Sequence, residues 1–204
     1  MKKILFLCAF LSVSVPAAAI PIVPENFDTQ VLGAQIATLS DPFGVASPPP
    51  ATMGLLDSSV WFDGTYYTYV NTVNPLLNDN SHLNTAFTVS GFTGSMGWSF
   101  SDASAAGGDG DILDFLTAEV NGRLHWLGLE RGIGANWDSG EAITFFFRST
   151  LPPTLGDYNF LNSEASTATG FAPVPEPGTL ALLGTGLYGL YRAKKREKAK
   201  LALS

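Results

Sequence analysis

The chain has 204 residues, which suits one ordinary domain with short targeting segments, and its 18 acidic and 11 basic side chains give a formal net charge of −7. The basic residues are concentrated at the two ends. Between residues 20 and 173 there are three arginines, no lysine and 16 acidic residues, a net charge of −13. Nucleic-acid binding requires Lys and Arg along one surface, so this composition excludes nucleic acid as a partner.

The first 19 residues have the three-part form of a secretory signal peptide. Two lysines precede a short apolar run over residues 4–15, and Ala17 and Ala19 fit the small-residue pattern of a cleavage site. Because the apolar run is too short for a comfortable membrane span, we expect cleavage after Ala19 rather than a permanent anchor. Cys8 would leave with the signal, so the mature chain would contain no cysteine and no disulfide.

The next part of the chain divides into an N-terminal segment and a main body. Residues 20–50 are a proline-containing segment that ends in a Pro-Pro-Pro run. Residues 51–162 are expected to hold the folded domain, because Pro75 is the only proline between positions 51 and 151. Residues 163–173 are expected to be a linker.

Two hairpin signals stand out in the main body. Asp63-Gly64 and Asn121-Gly122 are each flanked by β-branched and aromatic residues, and such pairs favour two-residue hairpin loops. Further strand candidates are residues 35–39, 85–89, 97–100, 112–116, 142–148 and 158–161. No stretch shows a helical period with caps. The pattern predicts an all-β passenger, an antiparallel β-sandwich or jelly roll.

One Gly-rich acidic loop is the best candidate for a metal site. Asp109, Asp111 and Asp114 lie close together in the sequence, and Ca²⁺ prefers several oxygen ligands supplied in this way. The alternative is a solvated acidic loop between strands, with no cofactor. Trp137 has the most loop-like setting of the four tryptophans and is the candidate for stacking on a sugar ring.

No catalytic constellation emerges from the sequence. The two histidines, His82 and His125, are far apart in the chain, no metalloprotease or nucleophile-elbow motif is present, and no carboxylate pair is singled out by its neighbours. We therefore expect that the protein is not an enzyme. A glycoside hydrolase with two carboxylates remains open, because a domain with 16 acidic residues always offers pairs.

The C-terminal part combines an extended motif, an apolar run and a basic cluster. The motif consists of Val174, Pro175, Glu176, Pro177, Gly178 and Thr179. The two prolines keep its backbone extended, as a processing enzyme requires. The residues expected to form the anchor and to stop translocation are Leu180, Leu182, Leu183, Leu187, Leu190, Arg192, Lys194, Lys195 and Arg196. Residues 197–204 would follow as a cytoplasmic tail.

This three-part segment, residues 174–196, resembles the PEP-CTERM sorting signal of Gram-negative bacteria. The resemblance implies a transmembrane helix, transient residence in the inner membrane, and processing by an exosortase, a membrane transpeptidase that is thought to cut near Pro-Glu-Pro. The family is associated with exopolysaccharide and biofilm production. Residues 151–156 are similar to a sortase motif, but Leu155 interrupts the pattern and we interpret them as a loop.

Three functions follow in order of preference. The first is a non-catalytic exported protein, sorted to the periplasm, the outer surface or an exopolysaccharide and biofilm matrix. The second is a calcium-dependent, lectin-like module that binds carbohydrate through Trp137 and the acidic loop. The third is a secreted glycoside hydrolase.

Overall fold

The computed structural model describes residues 19–45, 51–76, 87–90, 95–106, 112–120, 123–131, 139–161 and 165–173. Twelve strands, one α-helix and a short 3-10 helix (Phe27–Thr29) form within these residues. They are β1 (Ile20–Pro21), β2 (Glu25–Asn26), β3 (Ala34–Val45), β4 (Ala51–Phe62), β5 (Tyr67–Pro75), β6 (Phe87–Ser90), β7 (Met96–Trp98), α1 (Phe100–Ala106), β8 (Ile112–Val120), β9 (Arg123–Arg131), β10 (Ile143–Ser149), β11 (Pro153–Leu161) and β12 (Ala165–Pro173).

The strands form two six-stranded sheets. Sheet 1 has the order β1-β8-β9-β6-β11-β12, and sheet 2 has the order β2-β7-β10-β5-β4-β3. The pairs are antiparallel except β2 and β7, which run parallel. Side chains from both sheets meet in one hydrophobic core. This mostly β architecture fits the expected β-sandwich.

The core is dominated by aromatic side chains. The strand expected at residues 142–148 corresponds to β10, in which Phe145, Phe146 and Phe147 are all fully buried. Trp126 of sheet 1 packs against Phe145 and Phe147 of sheet 2, with ring centroids 6.0 and 6.3 Å apart. Its indole N–H donates to the carbonyl of Gly97 at 3.0 Å. The indole therefore joins the two sheets by both packing and hydrogen bonding.

The N-terminal residues cross from one sheet to the other. Ile20 and Pro21 pair with β8, and Ile22 exchanges two hydrogen bonds with Thr117, one of 2.9 Å from its N–H and one of 2.6 Å to its carbonyl. The chain then joins sheet 2, where β2 lies beside Gly97. A side chain at Gly97 would collide with the backbone of Glu25, so this close approach requires glycine. The segment expected to precede the domain is part of both sheets.

Several local expectations differ from the structure. Residues 165–173, expected to be a linker, form β12, whose nine residues all pair with β11. Phe100, expected at the end of a strand, begins α1. Val120 pairs with Arg123, so the two strands predicted on either side of Asn121-Gly122 are adjacent, while these two residues lie outside the described residues. The other hairpin loop is longer than expected, because Phe62 pairs with Tyr67. The Asp63 carboxylate accepts the N–H groups of residues 65 and 66, each at 2.8 Å, and so closes a four-residue turn.

Candidate functional site

The last strand leaves the sandwich at a well-defined end. Pro173 pairs with Pro153, and residues 150–152 connect β11 back to the end of β10 in sheet 2. The Tyr69 hydroxyl donates to the Leu151 carbonyl at 2.8 Å and holds this connection in place. The turn at 63–66 lies beside it, since Phe62, Tyr67 and Ser149 are at one level of sheet 2. We call this the exit end; it comprises residues 31–33, 63–66, 149–155 and 173.

A buried polar cluster fixes β12 near the exit end. The Tyr158 hydroxyl donates to the Phe171 carbonyl and accepts from the Asn71 amide at 3.4 Å. The N–H of Phe171 donates to the Ser58 hydroxyl at 2.9 Å. Tyr158 and Asn71 are fully buried, and burial raises the pKa of the Tyr158 hydroxyl far above its ordinary value, so it stays a donor. The cluster connects the last strand of sheet 1 to β4 and β5 of sheet 2.

The outer edge of β12 is protected by side chains rather than by another strand. The N–H of Thr169 donates to the Asp41 carboxylate at 2.7 Å, and the N–H of Phe171 donates to Ser58. Both acceptors belong to sheet 2. A free strand edge would otherwise present unpaired donors to neighbouring chains. The strand next to the sorting segment is therefore closed to edge-to-edge pairing over these residues.

Residues 151–156, which are similar to a sortase motif, do not have the extended, unpaired backbone that a processing site needs. Leu151 accepts the Tyr69 hydrogen bond, and residues from Pro153 onward are paired within β11. A protease or transpeptidase needs an extended, unpaired substrate, so these residues serve the fold.

At the opposite end, here the far end, β3, β5, β9 and β11 end and β4, β6, β8, β10 and β12 begin. Strands run toward this end before or after the segments 46–50, 77–86, 107–111, 132–138 and 162–164, which lie outside the described residues. Several described acidic residues lie there, among them Asp102 on α1, Asp114 near the start of β8, and Glu141 just before β10. The described part of the far end is therefore rich in acidic side chains.

A hydrogen-bonded cap fixes α1 at the far end. The Ser99 hydroxyl accepts the N–H of Asp102 at 3.0 Å and donates to the Asp28 carboxylate at 2.6 Å. Asp28 also accepts the N–H of Ser101 at 2.9 Å. Partial burial acts to raise the pKa of Asp28, but these hydrogen bonds outweigh it together and the pKa is lowered. Asp102 in turn accepts the N–H of Thr144 at 3.2 Å. The cap joins the N-terminal segment, the helix and β10.

The predicted calcium ligands are not brought together in the described part of the chain. Asp114 is half-buried on β8 and accepts the N–H of Phe115 at 2.9 Å, while Asp109 and Asp111 lie outside the described residues. Within the described ranges, no group of three or more His, Cys, Asp or Glu could hold a metal ion. The calcium site stays a prediction.

The tryptophans divide between the core and the undescribed part of the chain. Trp98 and Trp126 are buried and pack on phenylalanines. Trp61 is half-buried and donates to Ser59 at 3.1 Å. Trp137, the candidate for sugar stacking, lies outside the described residues, so its role is not tested.

The predicted processing sites lie at the borders of the folded part. Ala19 is exposed, and the following residue, Ile20, is the first that pairs in a sheet. Ala17, the sorting motif and the anchor residues lie outside the described residues. Within the described ranges, none of the helices combines the length and hydrophobicity that a membrane crossing demands.

Comparison with known proteins identifies the C-terminal segment. A family model of the PEP-CTERM protein-sorting motif matches residues 173–196. No significant match was found among curated proteins or among solved structures. The chain therefore carries a PEP-CTERM sorting motif, which begins at the last residue of β12. The motif implies exosortase-targeted sorting of an exported protein to the cell envelope.

Proposed function

We propose that the protein is a non-catalytic exported cargo whose residues 174–204 are a removable membrane address. The observation that supports this division is the boundary at Pro173, which is both the last paired residue of the sandwich and the first residue of the matched motif. Removal of the address would break no described strand pairing. An exosortase-type enzyme would release the sandwich to the outer surface or to an exopolysaccharide and biofilm matrix.

The N-terminal border supports export by a cleavable signal. Ile20 begins β1 directly after the predicted cleavage site, so the mature chain would start at the first residue that the fold uses. The following residues are held by Thr117, Gly97 and the Asp28 cap. Cleavage after Ala19 would leave the described fold complete at its N-terminus.

The distribution of polar interactions supports a non-catalytic role. The buried hydroxyl and amide groups of Tyr158, Asn71 and Ser58 fix β12, and the carboxylates of Asp28 and Asp102 fix α1. These groups serve the fold. No observation among the described residues favours the lectin-like or glycoside-hydrolase alternative, whose candidate residues lie largely in undescribed segments.

The test compares the chain in cells with and without their exosortase. We expect the wild-type chain to be shortened and to leave the membrane fraction only when the exosortase is present. Replacing Pro175, Glu176 and Pro177 with Ala should block both changes, because the enzyme meets an altered motif. The matched control is Pro152→Ala in the sortase-like segment, which should be processed normally. Processing that persists in the triple variant, or that Pro152→Ala blocks, would refute the proposal.

A further inference from the structure

We propose that the exit end is a membrane-facing surface, on which Val31, Tyr66 and Leu155 contact the lipid headgroup region while the sorting segment is still anchored. This inference rests on the proposed function, since it takes residues from Leu180 onward to be held in the inner membrane. It goes beyond sorting because it assigns a contact to the folded cargo itself.

The length of chain beyond the sandwich limits how far the exit end lies from the bilayer. Seven peptide units separate Pro173 from Leu180, the start of the apolar run. Even fully extended, they span at most about 25 Å. The sandwich is about 40 Å long, since β3 and β4 have 12 residues each at about 3.3 Å per residue. The exit end is therefore held within about 25 Å of the bilayer, a shorter distance than the length of the sandwich itself.

Three apolar or aromatic side chains at the exit end are exposed. Val31 is 82% exposed, Leu155 is 61% exposed and Tyr66, at the tip of the 63–66 turn, is 39% exposed. Tyrosine is enriched at membrane interfaces because its ring is apolar and its hydroxyl remains hydrated. Ile36, at a bulge near the start of β3, is 50% exposed and extends the same end.

Hydrogen bonds and strand pairing hold the backbone segments that carry these side chains. The Val31 carbonyl accepts a hydrogen bond of 3.3 Å from the Arg148 guanidinium, and the Asp63 carboxylate closes the turn that carries Tyr66. Leu155 lies on β11, directly opposite Phe171 of β12. Val31, Tyr66 and Leu155 are therefore held in place by the fold at the exit end.

The mature chain contains no cysteine, which allows a direct test with single labels. We would purify the uncleaved chain from cells that lack the exosortase and reconstitute it in vesicles of phosphatidylcholine with phosphatidylglycerol. Tyr66→Cys and Leu155→Cys would carry an environment-sensitive fluorophore, and Leu76→Cys and Leu116→Cys would serve as controls. The control positions are also exposed, at 47% and 54%, but lie at the far end and on the open face of sheet 1. Thermal melts would establish that each labelled chain is folded.

We expect a quencher attached to lipid headgroups to quench positions 66 and 155 several-fold more than positions 76 and 116. Equal quenching at all four positions in chains that float with the vesicles would overturn the inference and leave the proposed function intact. A chain that does not float with vesicles would instead refute the membrane address. If the fluorophore at position 66 becomes shielded from solvent only when purified exosortase is added, the enzyme occupies this surface. If it becomes shielded only at high protein concentration in detergent, a second copy of the chain occupies it. Either result would also overturn the inference.

Discussion

The exit end and the far end of the sandwich are closed in different ways. At the exit end, short turns and a buried cluster around Tyr158 tie the last strand to both sheets. At the far end, a hydrogen-bonded cap built on Asp28 and Ser99 holds α1 and the N-terminal segment. The end joined to the sorting motif is thus fixed by the buried core, and we expect β12 to stay in place when the motif is removed.

Loss of the Trp126 indole should destabilise both ends of the sandwich and should cause the largest decrease in the free energy of unfolding. Trp126→Ala removes a fully buried ring that packs on Phe145 and Phe147, and we expect the free energy of unfolding to fall by about 3 to 5 kcal/mol. Leu127→Ala, at the adjacent but exposed position, should change it by less than about 0.5 kcal/mol. Denaturant melts would measure both. Similar losses in the two variants would contradict the assignment of Trp126 as the link between the sheets.

A substitution confined to the exit end should lower the free energy of unfolding by an intermediate amount. Tyr158→Phe removes the hydroxyl that serves the Phe171 carbonyl and the Asn71 amide, and leaving these buried groups unsatisfied should cost about 1 to 3 kcal/mol. Hydrogen exchange of β12 amides should accelerate more than that of α1 amides. Tyr66→Phe, at the exposed turn, should leave both unchanged. Equal acceleration in β12 and α1 would argue against a cluster that acts locally on the exit end.

A substitution confined to the far end should lower the free energy of unfolding by a somewhat smaller amount. Ser99→Ala removes the hydroxyl that caps α1 and binds Asp28, and loss of such a cap costs about 0.5 to 2 kcal/mol. Ser104→Ala, on the exposed side of the same helix, serves as the control and should be neutral. Hydrogen exchange should now accelerate in α1 and in the N-terminal segment while β12 stays protected. Loss of β12 protection instead would break the distinction between the two ends.

Acid should weaken the far-end cap by a smaller amount. Burial opposes ionisation of Asp28, but its hydrogen bonds with Ser99 and Ser101 prevail and lower its pKa below the ordinary value of 3.8. A carboxyl with a lowered folded-state pKa stabilises the fold above its unfolded pKa, and this contribution disappears as the pH falls through the folded pKa. Unfolding free energy should therefore decrease below about pH 4 more steeply in the wild type than in Asp28→Asn.

The Asp63 carboxylate allows the same measurement of acid-dependent stability at the exit end. The backbone N–H groups of Tyr66 and Thr65 lower the pKa of Asp63, which is fully exposed. Asp63→Asn should therefore change the acid dependence with the same sign as Asp28→Asn and by less. Parallel acid titrations of stability in the wild type and both variants would check this order. An identical pH dependence in all three chains would contradict both assignments.

Sequence patterns captured the parts of the fold that local chemistry determines. The strands predicted on both sides of Asn121-Gly122 pair with each other, and the strand predicted at 142–148 corresponds to β10. The strand β12 was missed because its sequence is small and polar, and its edge is supported by Asp41 and Ser58, which are more than 100 residues away in the chain. Such long-range acceptors leave no local pattern.

The helix α1 was missed for a related reason. Its seven residues are too few to show a helical period, and its first turn depends on Asp28, which lies 73 residues before Ser101. The C-terminal motif was recognisable because a processing enzyme reads an extended segment in sequence order. The candidate calcium and sugar sites remain predictions, since they require segments outside the described residues to meet in space.

The intact mass of the protein from exosortase-containing cells would locate both ends of the mature chain. We expect a chain that begins at Ile20 and ends within residues 174–179, apart from any group added by the transpeptidase. A mature protein that retains the apolar run and the basic tail, or one that is cut within the paired residues of β12, would contradict the division into folded cargo and removable address.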